Sequence, residues 1–406
     1  MGNGSRPRGA AHALAEGGPQ ARGSPRRAGD GREGQRGHGT VGQPEGGYCR
    51  PPHAMGSSSH MEGCGREMLC LSLEDVVACG GADVVRASED VRRGFELLLR
   101  GRVVQPTKTS MRSPRPVPEP EVGCINFMPS LLLADGEEIL GCKSMGAMPA
   151  NVALGLPRAT GLITLFDAHT KLPRCIMDAQ VISATRTGAV SLLAAQKLVP
   201  PDTQEVGLIG AGVNMRTQLL GLQQAVPGLR RARVYSEGAS KDCFAEEMSR
   251  RTHLDIRPVA SAEEAVRDCS FVVTCVSRDD QPVVRERWIG QSGVTVFSIG
   301  GFEVEASLLT RMDRVIADRW VDVKSRNVQT HAFAVAGGLI PESRVEDLGP
   351  ILAGERSGRT SRHESIFFSP VGLAFEDILV ADRVFREALQ RGVGQRVQLW
   401  SSSKWI

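Results

Sequence analysis

The glycine-rich turn after residue 206 constrains the fold more than any other feature of the chain. The segment Val206-Gly-Leu-Ile-Gly-Ala-Gly-Val-Asn-Met215 passes from an apolar strand into a helical pattern. Gly210 is expected to make the tight turn, and Gly212 to let the backbone approach a pyrophosphate at the N terminus of the helix predicted over residues 216–226. The segment predicts a Rossmann dinucleotide-binding domain, although its last residue replaces the usual third glycine. A strand, turn and helix in another α/β protein can show the same spacing.

The next strand bears on the choice between NAD and NADP. It is predicted over residues 231–236 and ends about 25 residues after Gly210, where such domains place an acid on the adenosine ribose. Ser236 takes the end of this strand and Glu237 follows it. Glu237 could accept the ribose hydroxyl groups and favour NAD, whereas Ser236 without an acid would leave room for the extra phosphate of NADP. Further strands are predicted at 270–275, 294–299 and 314–317.

Length and charge bound the remaining possibilities. With 406 residues, 41% of them hydrophobic and 23% charged, the chain has the composition of a globular protein with about two domains. No apolar run reaches the ~18–20 residues that cross a bilayer, so we expect no membrane partner. The net charge is only +3, and eight of the arginines lie in the first fifty residues against four acids. We therefore expect no nucleic-acid-binding surface.

The cysteines and the N-terminal segment indicate the compartment. Ten cysteines are scattered without a C-x-x-C pair, so neither a metal site nor a disulfide framework is predicted. No secretory signal is apparent, and we expect a cytoplasmic protein. Residues 1–65 are rich in Gly, Arg and Ser and are predicted to be a disordered or non-native extension.

The pattern along the chain changes once. From residue 66 to 199 it predicts a capping box at Ser72-Leu-Glu-Asp75, strands and two longer helices, over 82–99 and 181–198. After Pro200-Pro201 strands and helices alternate, which marks a domain boundary and a Rossmann domain over 200–372. A helix follows within 373–395, and 396–406 is predicted to be a tail.

Several short motifs then align in order and spacing with one family. The chain resembles the ornithine cyclodeaminase and mu-crystallin family over about residues 66–395. Besides the glycine turn, the motifs are Gln105-Pro-Thr-Lys108, Lys143 with Pro149 and Asn151 ahead of Gly155-Leu-Pro157, Arg186-Thr-Gly-Ala189, Gly300-Gly301 and Ser369-Pro-Val-Gly-Leu-Ala-Phe-Glu-Asp377.

The resemblance implies an architecture. It predicts an α/β protein in which a Rossmann dinucleotide-binding domain is inserted into an α+β substrate-binding and dimerisation domain built from both chain ends. The helix within 373–395 would return to the first domain. Members of the family are usually homodimers, so a homodimer is expected.

The resemblance also implies which residues form the site. Lys108, Lys143 and Arg186 would bind the carboxylate of an amino acid, and Val371 would contact the same substrate. The residues implied for NAD or NADP are Arg186, Thr187, Gly210, Gly212, Val213, Asn214, Ser236, Glu237, Val276 and Ile299. The residues themselves agree in part: Lys143 lies in an apolar run, where a buried ammonium needs an anion. Alternatives are a solvated lysine at a strand end and, for Arg186, an interdomain salt bridge.

One position departs from the family. Ornithine cyclodeaminases carry an acid/base Asp directly after the Gly-Gly pair, but this chain has Phe302 there, followed by Glu303. Glu303 is the candidate catalytic carboxylate, displaced by one residue. Without the Asp, cyclisation and loss of ammonia are in doubt, while hydride transfer remains feasible.

The resulting hypothesis is an NAD(P)-dependent oxidoreductase that acts on the C–N bond of an amino acid or a related amine or imine. Details of the motifs resemble two subgroups, one named for a component of tyramine oxidase and one a dehydrogenase of diaminopropionate biosynthesis. The alternatives are a true ornithine cyclodeaminase, which converts ornithine to proline and ammonia, a non-catalytic NADPH and small-ligand binding protein of the mu-crystallin type, and an accessory subunit without catalysis.

Overall fold

Two β-sheets organise the part of the chain that the computed structural model describes, namely residues 67–112, 123–276, 281–290 and 292–401. The prediction for residues 1–65 lies outside these ranges. The strands are β1 Glu67–Leu71, β2 Val103–Val104, β3 Thr109–Arg112, β4 Cys124–Ala134, β5 Glu137–Ala147, β6 Ala159–Phe166, β7 Pro173–Asp178, β8 Glu205–Ile209, β9 Arg231–Tyr235, β10 Asp255–Pro258, β11 Phe271–Thr274, β12 Thr295–Ser298, β13 Arg314–Ala317, β14 Val345–Asp347, β15 Ile366–Ser369 and β16 Gln395–Gln398. The α-helices are α1 Leu73–Ala78, α2 Val84–Leu99, α3 Gln180–Leu198, α4 Val213–Ala225, α5 Ser240–Thr252, α6 Ala262–Val266, α7 Trp320–Arg326, α8 Thr330–Ala336, α9 Leu348–Leu352 and α10 Ala374–Arg391.

The first sheet is mostly antiparallel. Its order is β16-β1-β7-β6-β5-β4-β2, with β3 also paired to β4, and only β1 and β7 run parallel. The long β4–β5 hairpin turns at Asp135 and Gly136, both of which have positive φ, as a two-residue hairpin turn requires. Alternate residues of β4 from Met128 to Ala134 are buried, so one face of this hairpin packs on the core.

The second sheet is parallel throughout, in the order β10-β9-β8-β11-β12-β15-β13-β14. Every residue of β11, β12 and β15 is buried, as expected for central strands with both faces covered. The reversal of strand order beside β8 is the arrangement of a doubly wound dinucleotide-binding sheet, and its ligands bind at the carboxyl ends of the strands.

Helices α3 and α4 make the close contact between the two sheets, because α3 follows β7 of the first sheet and α4 follows β8 of the second. A Cβ atom at Gly188 would lie 2.5 Å from the carbonyl oxygen of Thr217, and one at Gly221 would lie 2.8 Å from that of Gly188. The Thr217 hydroxyl donates to the carbonyl of Ala184 at 2.9 Å. Small residues therefore let the two backbones approach.

Two local predictions can be compared with the structure. The capping box is confirmed: the Asp75 amide donates to Ser72 Oγ at 3.2 Å, and the Ser72 amide donates to the Asp75 carboxylate at 3.0 Å. The tail predicted from residue 396 was wrong in its first residues, because Gln395–Gln398 pair antiparallel with Glu67–Cys70 at the edge of the first sheet. This strand is short and polar, so its pattern does not distinguish it from a tail.

Candidate active site

The glycine turn brings three strand ends together. The Gly210 amide donates to the carbonyl of Tyr235 at the end of β9, 2.8 Å away. Gly210 has φ +109°, and a Cβ there would collide with the carbonyl of Cys275 beyond β11. Only glycine fits both the conformation and the close approach.

A groove of about 570 Å³ opens above this turn. Five residues predicted to bind the cofactor line it: Gly210, Gly212, Ser236, Glu237 and Val276. A Cβ at Gly212 would meet no atom within 4 Å, and α4 begins there with no side-chain cap and no acid in its first turn. The 13-residue helix thus offers unpaired N–H groups to an anion, which fits the pyrophosphate of a dinucleotide.

The adenosine end of the groove has a hydroxyl where many such folds have an acid. Ser236 Oγ lies 2.6 Å from Ser240 Oγ, and both hydroxyls reach the carbonyl of Glu237, at 3.4 and 3.1 Å. The Glu237 side chain is exposed at the rim. Lys241 places its ammonium 5.7 Å from the centre of the Tyr235 ring.

The other residues predicted for the cofactor do not line this groove. Val213 and Asn214 lie exposed in the first turn of α4, beside it. Thr187 is largely buried and donates its hydroxyl to the carbonyl of Ser183 within α3 at 2.7 Å. Ile299 is 9% exposed and belongs to the hydrophobic core.

Arg186 lies within a buried ion-pair cluster. Its Nη1 donates to Glu376 Oε2 at 2.8 Å and its Nε to Asp377 Oδ1 at 3.1 Å. Both carboxylates are fully buried in the first turn of α10. A Cβ at Gly372 would collide with this guanidinium, so the backbone closes over it. The Nε and Nη1 donors of Arg186 are thus engaged by two carboxylates of the protein itself.

Lys143 belongs to the same cluster. Its Nζ donates to Asp377 Oδ2 at 2.6 Å and to Ser183 Oγ at 3.2 Å, and the residue is 1% exposed. Burial lowers the pKa of Lys143 to about 8, although the neighbouring Asp377 carboxylate opposes the shift. The anion that the sequence requires for this lysine is therefore present in the protein itself.

Glu376 and Asp377 belong to this cluster, although the sequence indicates them only as the last two residues of the motif that begins at Ser369. Two consecutive acids interrupt the apolar run 373–381 at the start of α10, which is an unusual pattern for a buried segment. That pattern could have identified them as partners of buried cations. Burial raises the pKa of Glu376 to about 8, against the effect of Arg186, and its Oε1 has no hydrogen-bond partner in the described structure.

Lys108 and Val371, both predicted to contact the substrate, lie next to each other. Lys108 Nζ donates to the carbonyl oxygen of Val371 at 3.2 Å. The amides of Val371 and Gly372 donate to Asp318 Oδ2 at 2.9 and 2.7 Å, which fixes the turn before α10. Burial raises the pKa of Asp318 to about 6, while these hydrogen bonds oppose the shift.

A second, much smaller cavity of about 10 Å³ adjoins Lys108. This volume holds about one water molecule. Its lining combines residues of the first sheet's side with residues of α7 and of the turn before α10: Gln105, Pro106, Lys108, Met128, Asp322, Arg326, Val371, Gly372 and Ala374.

Glu303 has an environment that argues against the predicted catalytic role. It is fully buried, and its Oε2 accepts from Thr274 Oγ1 at 2.6 Å, the Gly300 amide at 2.9 Å and Ser298 Oγ at 3.3 Å. Its Oε1 accepts from the Val276 amide at 2.5 Å. Burial raises the pKa of Glu303, and these hydrogen bonds oppose the shift. The carboxylate joins the ends of β11 and β12.

Phe302, at the position where the family has Asp, stacks edge to face with Phe333 of α8, with ring centroids 5.0 Å apart. The loop thus turns its carboxylate inward and its aromatic ring toward α8.

Within the described ranges, no group of three His, Cys, Asp or Glu side chains could hold a metal ion. No helix of the described segments is long and apolar enough to cross a membrane.

Comparison with solved structures relates this geometry to known proteins. The Delta(1)-pyrroline-2-carboxylate reductase of Thermococcus litoralis, solved with NADH and L-proline, has a TM-score of 0.75 and 32% identity, and the match covers 81% of this chain and 100% of that one. An archaeal alanine dehydrogenase dimer with bound NAD has a TM-score of 0.72 and 26% identity, with 82% and 100% covered.

Sequence comparison agrees. The N-((2S)-2-amino-2-carboxyethyl)-L-glutamate dehydrogenase of Staphylococcus aureus is 28% identical over 344 residues, which cover 82% of this chain and 99% of that protein. The sequence profile of the ornithine cyclodeaminase/mu-crystallin family matches residues 75–392. These matches, together with the glycine turn and its groove, establish that the chain belongs to the ornithine cyclodeaminase/mu-crystallin family.

Proposed function

We propose that this protein is an NAD(P)-dependent oxidoreductase that acts on the C–N bond of an amino acid or of the corresponding imine. The observation that carries the proposal is the groove above the glycine turn, with open space at Gly212 and free N–H groups at the start of α4. The relatives named above support the proposal, because two are dehydrogenases of amino acids and one is an imine reductase. This chain matches each of them over its whole length or nearly so.

The reaction in the reductive direction adds a hydride to the imine carbon and a proton to the nitrogen. When bound, the nicotinamide supplies the hydride. We assign the proton to Lys143, which is close enough to Lys108 to lower the pKa of that lysine, and whose own pKa of about 8 makes proton transfer easier than from a solvated lysine. Asp377, 2.6 Å away, orients that ammonium.

Lys108 is the residue that we assign to the substrate carboxylate. Its ammonium contacts a neutral carbonyl oxygen, that of Val371, and burial together with nearby cations holds its pKa well below the usual range. A bound carboxylate would stabilise the charged form and offset the cost of burial.

Two alternatives receive different support. A true ornithine cyclodeaminase needs an acid/base beside the substrate, and Glu303 is enclosed by four hydrogen-bond donors, so we favour an oxidoreductase without cyclodeamination. The Phe302–Phe333 pair favours the second candidate, a non-catalytic NADPH and small-ligand binding protein, because Phe333 is 39% exposed and offers an apolar surface.

We further propose a cytoplasmic homodimer with the domain division predicted from the sequence: 66–199 and 373–395 for substrate binding and dimerisation, and 200–372 for the cofactor. Large apolar side chains on the first sheet and its connections are exposed, including Val104, Met111, Leu154 and Leu162. Such an exposed set is typical of an interface. The eight described cysteines are free, which suits a reducing compartment.

The test uses the full chain. Binding of NADH and NADPH is measured by fluorescence titration. Delta(1)-pyrroline-2-carboxylate is then added with the reduced cofactor, and oxidation of the cofactor is followed by its absorbance. We expect binding and oxidation of the cofactor, and loss of both in Gly212→Asp, because a carboxylate there repels the pyrophosphate.

Mass spectrometry after incubation with L-ornithine and NAD⁺ should show no proline; its formation with ammonia would establish a cyclodeaminase. Cofactor binding without turnover of any imine or amino acid offered would favour the binding protein.

A further inference from the structure

The chain returns from the second sheet to the first through one short turn. Strand β15 ends at Ser369 and α10 begins at Ala374, so residues 370–373 form this connection, which we call the crossover turn. Helix α10 then packs on the first sheet, where a Cβ at Gly141 of β5 would lie 2.8 Å from Ile378. The crossover turn therefore sets how α10 lies relative to the second sheet.

Three side chains from other elements contact the crossover turn. Lys108, from the segment between β2 and β3, donates to the carbonyl oxygen of Val371 at 3.2 Å. The guanidinium of Arg186 in α3 lies against Gly372, where a Cβ would collide with it. From the side of the second sheet, Asp318 Oδ2 accepts hydrogen bonds from the Val371 amide at 2.9 Å and the Gly372 amide at 2.7 Å. Asp318 thus holds the same two residues that Lys108 and Arg186 contact.

Asp318 is fixed at the end of a central part of the second sheet. It directly follows β13, whose last residue, Ala317, pairs with Ser369 at the end of β15. The side chain is 1% exposed, and its Oδ1 accepts a hydrogen bond from the Arg319 amide at 2.8 Å. Three backbone amides therefore converge on one buried carboxylate. A shift of the crossover turn would leave buried N–H groups without an acceptor, which is unfavourable.

Charged groups of three neighbouring elements lie near Asp318. Burial raises its pKa to about 6, the amide hydrogen bonds oppose this shift, and the Asp322 carboxylate of α7 adds to it. Asp322 itself pairs with Arg319 at 3.0 Å. Burial opposes the rise in the pKa of Arg186 in α3, to which Asp318 contributes; burial raises the pKa of Glu376 in α10, and Asp318 adds to the rise. A proton on Asp318 would replace an acceptor with a donor, so the ionised form is the one that holds the turn.

We infer that Asp318 is a positioning residue of the proposed reaction, which acts through the crossover turn on Lys108 and Arg186. In the described structure Asp318 lines neither the cofactor groove nor the small cavity beside Lys108, so it acts through the residues it holds. The inference rests on the proposed function and deepens it, because the turn fixes where the substrate lies relative to the hydride donor. A displaced substrate reacts slowly even when it binds, since hydride transfer requires close and aligned carbon atoms.

The experiment compares Asp318→Ala and Asp318→Asn with Asp313→Asn in the full chain. Asp313 is the matched control, because it precedes the same strand and accepts a hydrogen bond from the Ser365 amide at 2.7 Å, at the end of β13 opposite the crossover turn. Asp318→Ala removes all three acceptor contacts. Asp318→Asn has nearly the same shape but is neutral at every pH, like the protonated form of the wild type.

Three measurements are made on each protein. Hydrogen–deuterium exchange of peptides that cover 369–374 reports the hold on the crossover turn. Calorimetry measures binding of Delta(1)-pyrroline-2-carboxylate to the NAD⁺-loaded protein, which has no hydride to transfer. The kcat/KM for the same imine with NADH is measured on both sides of pH 6, the pKa given above for Asp318.

We expect faster exchange at Val371 and Gly372 in Asp318→Ala and a kcat/KM lowered roughly 10- to 100-fold, while the affinity for NADH stays unchanged. The wild-type kcat/KM should fall as the pH decreases through about 6, and Asp318→Asn should lack this step. The imine titrates identically with every protein, so the difference between the two profiles reports the enzyme. A merely structural role would lower the melting temperature and leave the step in place. Asp313→Asn should match the wild type.

Wild-type exchange and wild-type kcat/KM in Asp318→Ala would overturn the inference. Should Asp318→Ala fail to fold, a wild-type pH profile in Asp318→Asn would overturn it equally. The proposed function can fail separately: if the wild type binds the imine but turns over none, the reductase is lost. Faster exchange and weaker imine binding in Asp318→Ala would then still support the positioning role, and unchanged values would overturn it. Turnover that is indifferent to Asp318 keeps the reductase and removes the inference.

Discussion

Asp377 balances two buried cations and therefore dominates the electrostatics of the site at the scale of single residues. It accepts hydrogen bonds from Lys143 and Arg186, and all three side chains are almost completely buried. Removing one partner of a buried pair leaves an uncompensated charge. We predict that Asp377→Asn lowers the free energy of unfolding by about 3–5 kcal/mol, measured by urea denaturation.

The control for this substitution is Glu387→Gln on the same helix. Glu387 pairs with Arg86 at 3.4 Å in a partly exposed position, where an ion pair contributes about 0–1 kcal/mol. If Asp377→Asn destabilises the protein no more than Glu387→Gln does, the cluster is not the buried, charge-balanced arrangement described above.

His331 makes the fold sensitive to acid. It is fully buried between Trp320 and Phe367, and neither ring nitrogen has a partner in the described structure. Burial lowers the pKa of His331 to about 3, below the ordinary value of about 6.5. Between these values the unfolded chain binds the proton and the folded chain does not, so stability rises with pH and is lost as the pH falls below about 6.5.

We predict that this histidine alone contributes a slope of up to about 1.4 kcal/mol per pH unit within that window. His331→Phe removes the titrating group and two unpaired polar atoms. Its melting temperature should equal or exceed that of the wild type at neutral pH and should fall less between pH values of about 6.5 and 4. Parallel curves for the two proteins would assign the acid sensitivity to other groups.

At the scale of elements, the Glu303 carboxylate joins strand ends below the cofactor groove. Its four donors belong to β11, β12 and the residues that follow each strand, and one of them, the amide of Val276, belongs to a residue that lines the groove. In Glu303→Gln the side-chain NH2 group would face the N–H of Val276 or of Gly300. Two donors cannot form a hydrogen bond with each other, so one hydrogen bond is lost. We predict about tenfold weaker binding of NADH, which corresponds to about 1.4 kcal/mol, in a fluorescence titration.

Asp313→Asn provides the matched control for this change. Asp313 also accepts a backbone hydrogen bond, from the Ser365 amide at 2.7 Å, but at the amino ends of β13 and β15, away from the groove. If the role of Glu303 is merely structural, Glu303→Gln will lower the melting temperature but will bind NADH with the same affinity as Asp313→Asn.

The helices and strands could be predicted from the sequence where their signals come from neighbouring residues. The site could be predicted only where the residues that contact each other are also close in the sequence. The glycine turn, the capping box and the parallel strands depend on neighbouring residues, so their patterns are readable. Lys143 could be recognised as a buried cation that needs an anion, but its partner Asp377 lies 234 positions along the chain.

At the scale of the whole molecule, the contact of α3 with α4 connects the two sheets. The carbonyl of Thr217 lies where a side chain at Gly188 would begin, 2.5 Å from the ideal Cβ position. Both sides of this contact are backbone, so no flexible side chain can move aside. An added methyl group must therefore push the helices apart.

We predict that Gly188→Ala lowers the free energy of unfolding by about 1–3 kcal/mol, as overpacking of a tight core does, even though alanine favours a helix more than glycine. Gly349→Ala in α9 is the control, because its Cβ would lie in ordinary contact with Phe95, at 3.5 Å. Calorimetry should give a lower melting temperature for Gly188→Ala and an equal or higher one for Gly349→Ala. A wild-type melting temperature in Gly188→Ala would mean that the two helices lie further apart in solution and that the sheets are joined elsewhere.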